Sequence, residues 1–211
     1  MSKEKKEKKG FSRRKFLVRG AVGIGVVLGT GYLTRSIWRR GIAGIINTAE
    51  SPYLGDTKTP PLWFEVTAEN QIILHSPKVE IGQGTFTTLA QIAADELEVD
   101  IDRINVVHAA TSTGNIDGFG TGGSTSVSSL WMPMRELAAT MREMLKNEAA
   151  KALNTSLASL QLSNGVISGG GKEMTYGEVV AGVTEWEIPD VPPLKDLKDY
   201  KYVGQPVPRV D

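Results

Sequence analysis

The first stretch of regular apolar spacing predicts a β-hairpin, a helix and a further strand. Residues 62–67 (LWFEVT) and 71–76 (QIILHS) are rich in aromatic and β-branched side chains and flank a short polar turn, which is typical of a hairpin. Residues 104–108 (INVVH) predict a third strand. Between the hairpin and this strand, apolar side chains recur at the spacing of one helix face: Leu89, Ile92, Ala93 and Leu97.

A longer apolar stripe predicts a second main helix over about residues 130–153. Its members keep close to a 3.6-residue period: Leu130, Met134, Leu137, Met141, Leu145 and Ala149. Pro133 would lie in the first turn of this helix. The backbone N–H groups of a first turn make no intrahelical hydrogen bond, so a proline is tolerated there. The preceding residues 111–129 are rich in Thr, Ser and Gly, which predicts a loop.

The regular segments beyond this helix are short. Residues 160–168 predict a small hairpin that turns at Asn164-Gly165, and the glycines at 169–171 predict a loop. Residues 175–181 predict a short helix, because they begin with a Thr and a Glu at the spacing of a capping box. The predicted fold class is α/β of the α+β type, a small mixed sheet with two main helices, preceded by an N-terminal signal or anchor helix.

These patterns divide the chain into four parts. Residues 1–40 form a targeting segment, residues 41–61 a linker, and residues 62–187 the folded domain. Residues 188–211 are rich in Pro, Lys and Asp and have too few apolar side chains to form a core of their own. We expect this C-terminal segment to be mobile or to pack on a partner.

Composition places the chain among ordinary globular proteins and removes several kinds of site. Of its 211 residues, 40% are hydrophobic and 23% are charged, and none is Cys. A chain without Cys has no disulfide, no thiolate zinc site, no Cys nucleophile and no cysteine-ligated iron–sulfur cluster of its own.

The net charge of zero conceals a strong asymmetry along the chain. Residues 1–40 carry 12 basic and 2 acidic side chains, a net charge of +10, and the other 171 residues carry −10. Nucleic-acid binding requires basic charge on the folded domain, so this distribution argues against it. A basic head on an acidic body is typical of an exported protein.

The basic head resembles a twin-arginine export signal. Arg13 and Arg14 precede a Gly-rich apolar stretch, residues 20–34, that is shorter than the ~20 residues of a membrane-spanning helix. The alternative is a short basic membrane anchor in which the Arg pair has no meaning. No A-x-A cleavage site follows, so we expect a periplasmic protein that an uncleaved signal could anchor to the inner membrane.

The first glycine-rich loop, Gly82-Gln83-Gly84-Thr85, lies between a predicted strand and a predicted helix. Glycines there let the backbone approach a ligand, and the N–H groups at a helix N-terminus attract anions. The side-chain amide of Gln83 can both donate and accept hydrogen bonds. All four residues are therefore candidate cofactor contacts, and the alternative is a tight turn without a ligand.

The second glycine-rich loop, residues 118–126, also leads into a helix and offers hydroxyls and backbone N–H groups suited to phosphate. It lacks the Lys of a P-loop, and neither loop has a Rossmann fingerprint. The alternative is a flexible surface loop. Its candidate cofactor contacts are Thr121, Gly122, Gly123, Ser124, Thr125 and Ser126. The helix and strand between the two loops form a crossover that should bring them to one sheet edge.

No catalytic or metal-binding residue is predicted in this chain. His75 and His108 end strands without an ordered set of carboxylates, which favours structural roles. The acidic side chains after the first helical stripe are interpreted as a solvated face: Asp95, Glu96, Glu98, Asp100 and Asp102.

Two ordered motifs carry a resemblance to a known family. The string VEIGQGTFTTLAQIAADELEVDIDRINVVHA and the later GTGGSTSVSSLWMPMRELAATMREML resemble the molybdopterin-binding subunit of the xanthine dehydrogenase/aldehyde oxidoreductase family. The W-x-P-M-R run at residues 131–135 is similar to the branch that contains the isoquinoline 1-oxidoreductase β subunit. The resemblance covers residues 62–211, including the final KDYKYVGQPVPRVD.

The resemblance implies a cofactor and a reaction. Gly82, Gln83 and Gly84 would contact the pterin of a molybdenum–molybdopterin cofactor in its cytosine dinucleotide form, and residues 121–126 would hold its dithiolene and phosphate side. The family hydroxylates aldehydes or N-heterocycles with oxygen from water, and it passes electrons to an iron–sulfur partner. The implied partners are a small 2Fe–2S subunit, a membrane cytochrome and the rest of the molybdopterin subunit, which carries the catalytic glutamate.

The domain at 62–187 would then be part of a molybdopterin-binding domain, and the chain alone should not turn over substrate. The alternative is an exported, non-catalytic binding or assembly protein that docks a partner subunit. A neighbouring reading frame that encodes the missing catalytic glutamate would favour the enzyme.

Overall fold

The computed structural model describes residues 58–110 and 120–210, together with residues 18, 24, 29, 30 and 32–34. The chain divides into two units, Met1–Glu50 and Ser51–Asp211. Of the first unit, residues 18, 24, 29, 30, 32 and 33 are helical. The Arg13-Arg14 pair, most of the predicted signal helix and linker, and residues 118 and 119 lie outside the described residues. In the described part of the chain, no helix is long and apolar enough to cross a membrane.

The predicted hairpin and third strand form one mixed sheet. Strands β1 (Phe64–Val66), β2 (Ile72–Ser76) and β3 (Ile104–His108) lie in that order. β1 and β2 are antiparallel, with Phe64 opposite Leu74, and β2 and β3 are parallel. Parallel neighbours need a crossover, which helix α1 (Thr85–Leu97) provides. The small mixed sheet predicted from the sequence is confirmed.

The second main helix, α2 (Ser126–Leu153), begins four residues earlier than predicted. Pro133 therefore lies inside the helix rather than in its first turn. Ser and Thr favour loops because their side chains compete for backbone hydrogen bonds, and here tertiary packing overrides that preference. The core lies where α2 packs against α1 and the sheet, and its fully buried side chains include Leu74, Leu89, Ile92, Leu97, Leu130, Met134 and Leu137.

A second, antiparallel sheet follows α2. It consists of β4 (Gln161–Ser163), β5 (Val166–Gly169) and β6 (Lys172–Thr175), in that order. The sequence predicted β4 and β5 but not β6, because three successive glycines at 169–171 are typical of a loop. Gly170 and Gly171 instead make a tight turn in the left-handed region, with φ of 60° and 76°.

The short helix α3 (Tyr176–Gly182) begins with the predicted capping box. The Glu178 N–H donates to Oγ1 of Thr175 (3.1 Å), and the Thr175 N–H donates to Oε2 of Glu178 (2.8 Å). Asn70, at the turn between β1 and β2, connects this region to the first sheet. Its amide donates to the Gly165 carbonyl (3.1 Å) and accepts from the Gly177 N–H (3.2 Å).

Replacing Gly177 with Ala should destabilise the domain. A Cβ at Gly177 would lie 2.6 Å from the Thr67 carbonyl oxygen and 3.1 Å from that of Ala68, and backbone atoms cannot yield cheaply. We expect Gly177→Ala to lower the free energy of unfolding by about 1–3 kcal/mol, as overpacking does. Gly182→Ala is the control, because a Cβ there meets nothing within 4 Å. Equal denaturant midpoints for the two variants would contradict this close approach.

The C-terminal segment packs on its own domain, which corrects the expectation that it is mobile. Asp95 is 2% exposed, and its carboxylate accepts the N–H groups of Lys201 (2.7 Å), Tyr202 (3.2 Å) and Val203 (2.9 Å). A side-chain carboxylate that accepts several backbone N–H groups holds an irregular segment without an apolar core.

Glu96 forms the second attachment of this segment. Its side chain is fully buried between the guanidinium groups of Arg135 (2.9 Å) and Arg142 (3.3 Å), and it accepts the Lys195 N–H (3.1 Å) and the Tyr200 hydroxyl. Burial and the bond to Glu96 raise the pKa of the Tyr200 hydroxyl. The interpretation of the acidic run as a solvated face is therefore wrong for its first two members, because each carboxylate binds partners that are distant in sequence.

Candidate functional site

The two glycine-rich loops lie side by side at one edge of the first sheet, as the sequence predicts. The Val79 N–H donates to Oγ1 of Thr121 (2.7 Å), and the ammonium of Lys78 donates to the Gly120 carbonyl (2.6 Å). These bonds join segments about 40 residues apart, just where β2 ends and before α1 and α2 begin.

Lys78 is the residue of this junction that sequence reasoning missed. Its side chain is fully buried, and burial lowers the pKa of its ammonium group. Lysines are rarely buried without a partner, and the Gly120 carbonyl is one partner here. A Lys after Pro77 carries no sequence signal for burial, because its partner lies 42 positions away.

The first loop is closed by a carboxylate of its own. Glu80 accepts the N–H groups of Gly82 (2.8 Å), Gly84 (3.0 Å) and Phe86 (3.0 Å), and its side chain is only 8% exposed. From the sequence, such N–H groups at the start of α1 were expected to bind the anionic group of a ligand. These three N–H groups are bound to Glu80 instead, so an external anion would have to displace the Glu80 carboxylate.

The side chain of Gln83 also closes the first loop. Its Oε1 accepts the Ile81 N–H (2.7 Å), and its Nε2 donates to the Val79 carbonyl (2.8 Å). Thr85 is 3% exposed and lies inside the domain. The backbone at Gly82 and Gly84 is open, because none of the described residues lies within 4 Å of an added Cβ at either position.

The second loop has a different character. Gly120, Gly123 and Ser124 adopt left-handed conformations, with φ near 60°. Gly122 does not, and a Cβ there would meet nothing within 4 Å. Packing among the described residues, 58–110 and 120–210, therefore gives no reason for a glycine at position 122. A molecule that approaches this backbone closely would give one.

The start of α2 is less enclosed than the start of α1. The N-cap Thr125 makes no side-chain capping bond, and its hydroxyl donates to the Gly122 carbonyl (3.0 Å). No carboxylate lies among the residues of its first turn. Ser124 is exposed and Ser126 is half-buried beside this helix start. A 28-residue helix presents a positive dipole end there, which favours an anionic group.

Both histidines lie on strands of the first sheet and contact neighbouring side chains or backbone. Nε2 of His108 accepts the Glu80 N–H (3.2 Å), and its ring packs on Phe86 with centroids 4.8 Å apart. His75 lies 3.7 Å from the Glu65 carboxylate. Among the described residues, no group of three or more His, Cys, Asp or Glu side chains could hold a metal ion.

The model of the molybdopterin cofactor-binding domain family matches residues 3–206 of the chain. The chain belongs to this family. The resemblance drawn from the two loop motifs is confirmed, and both loops lie within the matched range.

Curated relatives of this family member are much longer proteins. A nicotinate dehydrogenase subunit of Pseudomonas putida is 33% identical over 71% of this chain and 13% of its own length. Membrane-bound aldehyde dehydrogenase [pyrroloquinoline-quinone] of Gluconacetobacter polyoxogenes is 32% identical over 95% of this chain and 26% of its own. The isoquinoline 1-oxidoreductase β subunit of Brevundimonas diminuta is 31% identical over 82% and 22%. The chain thus spans about a quarter or less of these relatives.

Among solved structures, quinoline 2-oxidoreductase from Pseudomonas putida 86 is similar to this chain. It is 27% identical over 56% of this chain and 15% of its own, with a TM-score of 0.43.

Proposed function

We propose that the chain is the N-terminal cofactor-binding part of a molybdenum hydroxylase, in which the two adjacent glycine-rich loops hold the molybdopterin cofactor. The observation that carries the proposal is their junction at Val79–Thr121 and Lys78–Gly120, in a chain of the molybdopterin cofactor-binding family. When bound, this cofactor supplies a molybdenum centre that accepts electron pairs from substrate.

The two loops would divide the binding between them. The open backbone at Gly82 and Gly84 suits a flat ring system that packs closely, and Gln83 holds that backbone in shape. Gly122 and the start of α2 suit the anionic phosphate side, because helix-start N–H groups and the dipole favour negative charge. The residues present therefore fit the group, and the polar residues from Thr121 to Ser126 line the phosphate side.

The reaction proposed for the whole enzyme is hydroxylation of an aldehyde or an N-heterocycle with water-derived oxygen. The names of the relatives support this range, since they include an aldehyde dehydrogenase, a nicotinate dehydrogenase and an isoquinoline oxidoreductase. The proposed partners are the remainder of the molybdopterin subunit, a 2Fe–2S subunit and a membrane cytochrome. A chain without Cys needs a partner for iron–sulfur electron transfer.

Metal and pterin analysis of the chain, purified with the subunits that accompany it, tests this function. We expect about one molybdenum and one pterin, in its cytosine dinucleotide form, for each chain, and no turnover by the chain alone. A complex without molybdenum would contradict the proposal and favour a non-catalytic docking protein. A complex that holds a quinone cofactor but no molybdenum would contradict it as well.

Export through the twin-arginine route to the periplasm is part of the proposal. Arg13→Lys with Arg14→Lys keeps the charge but removes the paired guanidinium groups, whose planar geometry Lys does not reproduce. We expect a folded reporter fused to residues 1–40 to remain in the cytoplasm. The same change at Arg39 and Arg40, a second pair in this segment, is the control and should leave export intact. Continued export of the first variant by this route would contradict the assignment.

A further inference from the structure

The segment from Val79 to Gly84, which contains both glycines of the first loop, has few apolar contacts to hold its shape. Ile81 is 79% exposed and Val79 is 46% exposed. Gly82 and Gly84 adopt φ of 97° and 80°, and glycines in a loop lose the most conformational freedom on ordering. The conformation of this loop must therefore come from polar contacts.

Most of those contacts converge on one carboxylate. The Gly82 and Gly84 N–H groups donate to Oε1 of Glu80, and the Phe86 N–H donates to Oε2. Hydrogen bonds to an ionised acceptor are stronger than neutral ones, and this acceptor is largely shielded from water. The carboxylate thus ties these two glycines to the first turn of α1.

The backbone of Glu80 is held in turn by the first sheet. Its N–H donates to Nε2 of His108 at the end of β3, and the His108 ring packs on Phe86. Glu80, Phe86 and His108 therefore form a closed ring of contacts. These contacts fix the position of the Glu80 carboxylate at the sheet edge where the second loop also lies.

The C-terminal segment reaches the same carboxylate. Arg209 places Nη2 3.6 Å from Oε1 of Glu80, and its Nη1 donates to the Gly82 carbonyl (3.3 Å). The neighbouring Val210 N–H donates to Oγ1 of Thr87 (3.3 Å). One glycine, Gly82, is thus held on its N–H side by Glu80 and on its carbonyl side by Arg209.

We propose that Glu80 is a positioning residue that holds the Gly82–Gly84 backbone in the shape that receives the cofactor, with Arg209 as its partner from the C-terminal segment. This inference rests on the proposed function, because it gives that function its loop geometry. Glu80 acts through the loop and touches no reacting atom.

The test uses Glu80→Gln in the full chain, with two measurements. Amide hydrogen exchange at Gly82, Gly84 and Phe86 reports the loop directly, and molybdenum and pterin per chain report binding in the assembled complex. We expect exchange at these amides to accelerate roughly tenfold or more, as loss of a charged acceptor predicts. We expect cofactor content to fall several-fold while the unfolding midpoint shifts little.

Two further variants are compared with Glu80→Gln. The first separates positioning of the loop from general helix capping, and the second removes the contact from the C-terminal segment. Glu178→Gln makes the same change at the start of α3, where Glu178 accepts the Thr175 N–H (2.8 Å), and it should leave cofactor content unchanged. Arg209→Gln keeps the three N–H bonds to Glu80 and should accelerate exchange mainly at Gly82.

Unchanged exchange at the three amides in Glu80→Gln would overturn the positioning role. Full cofactor content despite faster exchange would overturn it too, as would an equal loss of cofactor in Glu178→Gln. A wild-type complex without molybdenum would instead contradict the proposed function, and the exchange measurement would still decide whether Glu80 holds the loop.

Discussion

Replacing Glu96 with Ala is expected to destabilise the folded domain by about 3–5 kcal/mol, the cost of removing one partner from a buried ion pair. Glu96 is fully buried, and the side chains of Arg135 and Arg142 that flank it are 9% and 6% exposed. Without the carboxylate, two buried guanidinium groups lose their shared counter-charge. Chemical denaturation of the full chain measures the change.

The same substitution should also loosen the C-terminal segment, because Glu96 accepts the Lys195 N–H and the Tyr200 hydroxyl. Glu143→Ala is the matched control. Glu143 also pairs with Arg142 (3.0 Å), but its side chain is 15% exposed and lies nearer to water. We expect that control to cost about 1 kcal/mol or less, as for other partly exposed ion pairs. Equal losses of unfolding free energy for the two variants would contradict the central role of Glu96 in this buried ion-pair cluster.

Replacing Gly122 with Val is expected to have the largest effect on cofactor content. None of the residues that the structure describes lies within 4 Å of a Cβ at Gly122, so the free energy of unfolding should change by about 0.5 kcal/mol or less. A branched side chain between this backbone and a bound cofactor would overpack the contact, which costs about 1–3 kcal/mol. We expect molybdenum per chain to fall roughly tenfold at limiting cofactor.

Position 122 gives a cleaner test than its neighbour. Gly123 has a φ of 60°, so a side chain there would strain the backbone whether or not a cofactor binds. Gly182→Val is the control, because a Cβ there also meets open space at the end of α3. Full molybdenum content in Gly122→Val, or an equal loss in Gly182→Val, would show that the second loop does not contact the cofactor.

Short-range patterns in the sequence predicted much of this fold. The hairpin at β1 and β2, strand β3 and helix α1 follow from apolar spacing, and the capping box at Thr175 follows from residues three apart. The first turn of α2 was missed because its Ser residues favour loops in isolation. Strand β6 was missed because three successive glycines conceal a tight turn.

The polar interior could not be predicted from sequence. Asp95 and Glu96 have the local pattern of an exposed helix end, yet their partners lie about 40 to 110 positions away. Lys78 meets Gly120 at a comparable separation. The glycines indicated the two loops that the structure brings together, but not that Glu80 and Gln83 occupy the hydrogen-bonding groups of the first loop.

A shared site requires that both glycine-rich loops contact one molybdopterin cofactor. The most direct measurement is a crystal structure of the assembled complex with anomalous data at the molybdenum edge. We predict a molybdenum peak on the open side of Gly82 and Gly84, with continuous pterin density that reaches Gly122 and the start of α2. A molybdenum peak remote from both loops, or cofactor density that touches only one of them, would contradict the shared site.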